Sequence, residues 1–140
     1  MPEAAPVSPV EPGRAPPGRA RWWSHRRVVV HDTSMLPTLR PGDRLRVDPR
    51  AYRSRPPEVG EIVVLRDPEE PARWLVKRVD AVGPSDPGAA RGPLPVGTVF
   101  VVSDAPGPTR DSRRFGPVPV AGLLGRAYER YAPAERRGPL

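Results

Sequence analysis

Two residues carry the chemical interest of this chain, a lysine and a serine. Lys77 is the only lysine among 23 Lys+Arg, so every other basic residue is an arginine. Arginine keeps its proton under protein conditions, whereas a lysine amine can be brought to act as a base. Lys77 lies in Trp74-Leu75-Val76-Lys77-Arg78-Val79, an apolar run that reads as a strand. Alternation puts Lys77 on one face with Leu75, Val79 and Ala81, and Trp74, Val76, Arg78 and Asp80 on the other. A lysine turned toward a core is desolvated, which disfavours its charged form and suits a general base. The plainer reading is a residue left over from an arginine-biased composition, its amine snorkelling to solvent. Ser34 offers the matching nucleophile. It leaves an expected strand and opens Ser34-Met35-Leu36-Pro37-Thr38-Leu39, a proline-started turn whose free N–H groups suit a developing oxyanion. An ordinary N-cap serine would look the same.

The elements that must position these two side chains read as β. Strands are expected at Arg27–Asp32, Arg44–Asp48, Glu61–Arg66, Arg73–Val82, Thr98–Ser103 and Leu123–Tyr131, the last fitting a helix period equally well. Turns are expected at Arg40-Pro41-Gly42-Asp43, at Pro56-Pro57 with Gly60, and across Gly83–Gly97. Short strands joined by proline-rich turns predict an all-β fold, a compact domain of coiled, barrel-like sheets. Residues 1–21 are proline-rich and hold almost no large apolar side chains, which predicts a disordered tail. The folded domain is expected over 22–131, with a short polar tail at 132–140.

Composition narrows the function classes. A chain of 140 residues supports one domain with a real core. The absence of cysteine removes disulfides, thiolate metal sites and cysteine nucleophiles together. Two histidines, His25 and His31, are too few for most metal sites, and no metal is expected. The net charge of +7 invites a nucleic-acid partner, but the arginines are interleaved with 16 acidic residues. Two Phe and three Tyr give no stacking platform, so no nucleic acid is expected. An anionic membrane surface suits the same charge. No apolar stretch approaches the ~20 residues of a spanning helix, and the N-terminus lacks a signal-peptide core. The expectation is a cytoplasmic or peripheral protein, with Trp22-Trp23 among arginines as a candidate membrane contact.

Other constellations are weaker. A triad from Ser34, His31 and Asp32 is disfavoured because consecutive strand residues point to opposite faces. Asp43, Asp48, Glu58, Glu61 and Asp67 match no metal-loop spacing. Arg110, Arg113 and Arg114 suit a phosphate, but Asp111 in their midst argues for internal pairing.

Taken in order, the segments are more informative than any one of them. Ser34-Met35-Leu36-Pro37-Thr38-Leu39 is followed by Pro41-Gly42-Asp43, then Lys77-Arg78-Val79, then Asp111-Ser112-Arg113-Arg114-Phe115-Gly116-Pro117-Val118-Pro119. This resembles the type I signal (leader) peptidases, whose signatures are SM-x-PTL with GD, KR, and a closing S-x-DSR-x-FG-x-VP. The match spans about residues 28–131. LexA-type self-cleaving repressors share the serine-and-lysine half but not the DSR box. The resemblance implies Ser34 as nucleophile, Lys77 as neutral general base, and no cofactor. It implies that the Thr109 hydroxyl orients the lysine, and that Asp111 with Arg78 and Arg113 forms a supporting ion-pair cluster. The implied activity is a serine endopeptidase that removes N-terminal leader segments from precursor proteins.

Three departures accompany the resemblance. Asp32 stands two before the nucleophile, where the family often has a small or hydroxyl residue completing the oxyanion hole. Either Asp32 turns away and backbone donors suffice, or Thr33 assists, or activity is lowered. The usual G-D-N reads Ser103-Asp104-Ala105. The membrane anchor usual in the family has no counterpart in this sequence. In length and lack of anchor the chain is similar to small soluble relatives, among them the proteases that trim the leader of nickel-type superoxide dismutase. The alternative to an active peptidase is an idle or self-cleaving LexA-like regulatory module, favoured by Asp32.

Overall fold

The computed structural model describes residues 26–85 and 91–140. The expected tail at 1–21, the domain start at Trp22, the Trp22-Trp23 pair, His25 and positions 86–90 of the Gly83–Gly97 turn lie outside the described residues. Eight strands form one antiparallel sheet: β1 (Arg26–Val29), β2 (Arg44–Asp48), β3 (Ile62–Asp67), β4 (Glu70–Val82), β5 (Thr98–Val102), β6 (Val118–Pro119), β7 (Leu123–Ala132) and β8 (Gly138–Pro139). Their order is β1-β2-β7-β3-β4-β5-β6, with β8 added to β7. The only α-helix among the described residues, α1, is the single turn Ser112–Phe115. The all-β expectation holds, and β7, which fitted either period, is a strand.

The hairpin of β3 and β4 is the centre of the molecule. Both strands alternate and both faces are apolar, so the hairpin contributes to two cores. Ile62, Val64, Trp74 and Val76 join Val28, Val30, Met35, Leu39, Leu45 and Val47 on one side. Val63, Leu65, Leu75 and Val79 join Val99, Val101 and Val118 on the other. Lys77 pairs with Val63 across this hairpin, among fully buried residues. Where β7 crosses β2, Gly125 is required by close approach, since a Cβ there would lie 2.6 Å from the Asp48 carbonyl oxygen.

The C-terminal residues depart from the expected polar tail. After β7 the chain makes a 3-10 turn at Ala134–Arg136, and β8 then pairs back onto β7. Arg136 donates from Nη2 to Asp43 Oδ2 at 2.8 Å, and Arg130 Nη1 reaches the same oxygen at 3.1 Å. The physical reason is Asp43. It is buried in the Gly42-Asp43 turn and takes two guanidinium partners from the end of the chain. Among the described residues, no helix is long and apolar enough to cross a membrane.

Candidate active site

Ser34 is held by the turn that follows β1. Val30 N–H donates to Asp43 O at 2.8 Å and Gly42 N–H to Val30 O at 2.7 Å, closing the base of the loop. Met35 and Leu39 sink into the first core, linked by Leu39 N–H to Met35 O at 2.9 Å. From the far side, Ala105 N–H donates to Ser34 O at 2.9 Å. Ser34 is thus fixed from both flanks and only 7% exposed.

Lys77 reaches this serine from the middle of β4. Its side chain is 0% exposed, and Nζ donates to Ser34 Oγ at 3.1 Å and to Ser103 Oγ at 2.9 Å. Ser103 Oγ lies 2.6 Å from Thr109 Oγ1, and Thr109 Oγ1 donates to Asp111 Oδ2 at 2.9 Å. Asp111 is itself 0% exposed. It caps α1 by accepting Arg113 N–H at 3.0 Å, accepts Ser103 N–H at 2.9 Å, and pairs with Arg113 Nη2 at 2.7 Å. Burial alone would raise the Asp111 carboxyl. The Arg113 guanidinium, the Ser103 N–H and the Thr109 hydroxyl outweigh it and hold the carboxyl down to about 2.

Two expected contacts are rearranged. Arg78 does not pair with Asp111; its Nη2 and Nε take Asp104 Oδ2 and Oδ1 at 2.6 and 2.8 Å. Strand alternation is the reason, because neighbours Lys77 and Arg78 leave β4 on opposite faces and only Lys77 faces the Asp111 side. Asp104 also accepts the Thr38 hydroxyl at 2.7 Å, so Arg78, Asp104 and Thr38 tie β4 to both flanking loops. Burial pushes the Asp104 carboxyl up, but Arg78 and Thr38 leave it below its ordinary value. The second rearrangement concerns Thr109. The hydroxyl bonded to Lys77 belongs to Ser103, and Thr109 stands behind it.

Ser103 was not singled out by its chemistry, yet a signal exists. The inward alternation of Val99 and Val101 continues to Ser103, which puts a hydroxyl at a core-facing position.

Asp32 does not turn away. It is buried, and Oδ1 accepts both the Ser34 N–H and the Ser34 hydroxyl at 3.1 Å. Thr33 is exposed. An open cleft of about 260 Å³ lies against this turn, lined by Asp32, Thr33 and Ser34 and by Ala105, Pro106, Pro108 and Thr109 of the later loop. His31 is exposed while Asp32 is buried, which leaves no triad. Of the other acids, Glu61 pairs with Arg55, Asp67 with Arg110 and Glu69 with Arg114. The two arginines beside Arg113 are therefore engaged internally.

Comparison with known proteins points to one family. Residues 19–86 match the family model described as signal peptidase, peptidase S26. The chain is 38% identical over 124 residues to the mitochondrial ATP-independent inner membrane protease subunit 1b of Arabidopsis thaliana, covering 81% of this chain and 73% of that one. It is 32% identical to probable signal peptidase I-1 of Synechocystis sp., covering 81% and 74%. It is 35% identical to the mitochondrial inner membrane protease subunit 1 of Xenopus tropicalis, covering 81% and 72%. With an all-β domain and similarity across most of both chains, this protein belongs to the signal peptidase family, peptidase S26.

Proposed function

We propose that this chain is a serine endopeptidase of the signal-peptidase type, which removes N-terminal leader segments from precursor proteins through a Ser34–Lys77 dyad. The observation that carries the reading is the fully buried Lys77 amine 3.1 Å from the hydroxyl of a serine that lines an open cleft. Ser34 Oγ attacks the scissile carbonyl carbon as its proton passes to the neutral Lys77 amine. The resulting ammonium gives that proton to the leaving amine, so the C–N bond breaks and an ester forms at Ser34. A water molecule, deprotonated by the free amine, then attacks the ester and releases the acid. The Ser34 N–H is the donor nearest the developing oxyanion. It is engaged by Asp32 Oδ1 in the resting site, so Asp32 must yield when substrate binds.

The leader-peptide substrate class rests on the family and on relatives named as signal peptidases and processing peptidases. Peripheral contact with an anionic membrane is consistent with the net charge of +7. A second reading, an idle or self-cleaving module, is favoured by Asp32 alone. A census of mature protein N-termini in native cells separates the two. With Ser34→Ala or Lys77→Ala in place of wild type, the same set of mature N-termini should disappear. If neither variant changes an N-terminus while the protein is folded and expressed, the peptidase reading fails.

A further inference from the structure

The hydroxyl chain behind Lys77 has a direction. Asp111 has no proton to give at neutral pH, because Arg113, the Ser103 N–H and the Thr109 hydroxyl hold its carboxyl down, and an ionised carboxylate only accepts. Thr109 therefore spends its single proton on Asp111 Oδ2, and its oxygen must accept from Ser103. Ser103 in turn spends its proton on Thr109, so toward Lys77 the Ser103 oxygen is available only as an acceptor. Had the Ser103 hydroxyl been uncommitted, it could donate to the neutral amine and occupy the lone pair that Ser34 needs. With the chain polarised from Asp111, the Ser103 oxygen takes a Lys77 N–H and does not compete for the lone pair that a base requires.

On the dyad reading above, we infer that Ser103 is the residue that positions Lys77, and that Thr109 acts through it. The same Asp111 oxygen holds both parts of the device. It accepts the Thr109 hydroxyl at 2.9 Å and the Ser103 backbone N–H at 2.9 Å, which fixes the Ser103 oxygen in place as well as in polarity. Ser103 is 7% exposed and does not line the cleft, so its contribution is to the base and not to substrate contact.

The test uses the purified full chain and a peptide spanning a leader junction that is lost in Ser34→Ala cells. Ser103→Ala should lower kcat roughly 10- to 100-fold with KM unchanged, less than loss of the base itself because Ser103 acts through Lys77, and Thr109→Val should lower kcat to a similar extent. The double variant should fall no further than either single one, since both break the same chain. Ser103→Thr, which keeps a hydroxyl, should restore most of the rate, which a purely structural role of the alanine change would not predict. The inference is overturned if Ser103→Ala retains wild-type kcat, or if the two losses multiply. It is equally overturned if Ser103→Thr is as slow as Ser103→Ala with both folded. Failure of the dyad reading looks different, because Ser34→Ala would then cleave the peptide as wild type does.

Discussion

One oxygen of Asp32 accepts two bonds from Ser34, the backbone N–H and the side-chain hydroxyl, both at 3.1 Å. A carboxylate so placed takes up the donor an oxyanion would use and turns the nucleophile's proton away from Lys77. Asp32→Ser or Asp32→Gly should therefore raise kcat, by about 10-fold if one charge-assisted hydrogen bond of ~1.5 kcal/mol is being displaced in each turnover. Steady-state rates on a leader-junction peptide decide it; unchanged turnover would mean that the carboxylate is no handicap, and lower turnover that Asp32 assists the reaction.

The base in this mechanism is the amine of Lys77, which must accept the proton of Ser34. Lys77→Arg keeps the charge but offers no lone pair, and should lose activity by at least about 10³-fold. A folded Lys77→Arg that cleaves a leader-junction peptide at the wild-type rate would rule the dyad out.

Asp111 ties stability to acid. Its folded carboxyl sits at about 2, below the ordinary 3.8, so it contributes stability above the unfolded value. That contribution is lost as pH falls through the folded one. The loss should fall between about pH 4 and pH 2, and thermal melts of wild type and Asp111→Asn should converge there. At neutral pH, Asp111→Asn should cost about 2 kcal/mol, since a buried acceptor of several bonds is replaced by an amide.

The chain end supports the nucleophile loop. Arg136 and Arg130 meet Asp43 and both also donate to Thr38 O. Arg136→Ala should lower Tm and speed proteolysis within residues 30–43, and Asp43→Ala should do both more strongly, leaving two guanidinium groups without their shared carboxylate. Limited proteolysis mapped by mass spectrometry checks it, and equal cutting in all three proteins would refute the link.

The sheet is legible in the sequence because period-2 alternation is local: it gives β2 at its observed bounds and β4 to its observed end, and it puts Lys77 on the inward face of Leu75 and Val79. What sequence did not carry was the choice of partner at long range. Arg78 and Arg113 are equally plausible partners for Asp111 on paper, and only the opposite pointing of Lys77 and Arg78 sends one of them to Asp104. Residues 132–140 look like a tail because their stabilising contacts are with Asp43, some ninety positions earlier. Ser103 was visible as an oddity in Ser103-Asp104-Ala105, but its bond to Lys77 depends on a loop closure that spacing does not report.

Lys77 and Ser34 ride on parts of unequal local stability. Lys77 sits in the hairpin that belongs to both cores, where amide hydrogens should exchange most slowly, whereas Ser34 sits in an irregular turn anchored to one core through Met35 and Leu39. On warming, the nucleophile should come loose while the base is still in place. Catalysis would then fade at temperatures where the sheet's circular dichroism is unchanged, and it would return on cooling without any refolding of the domain.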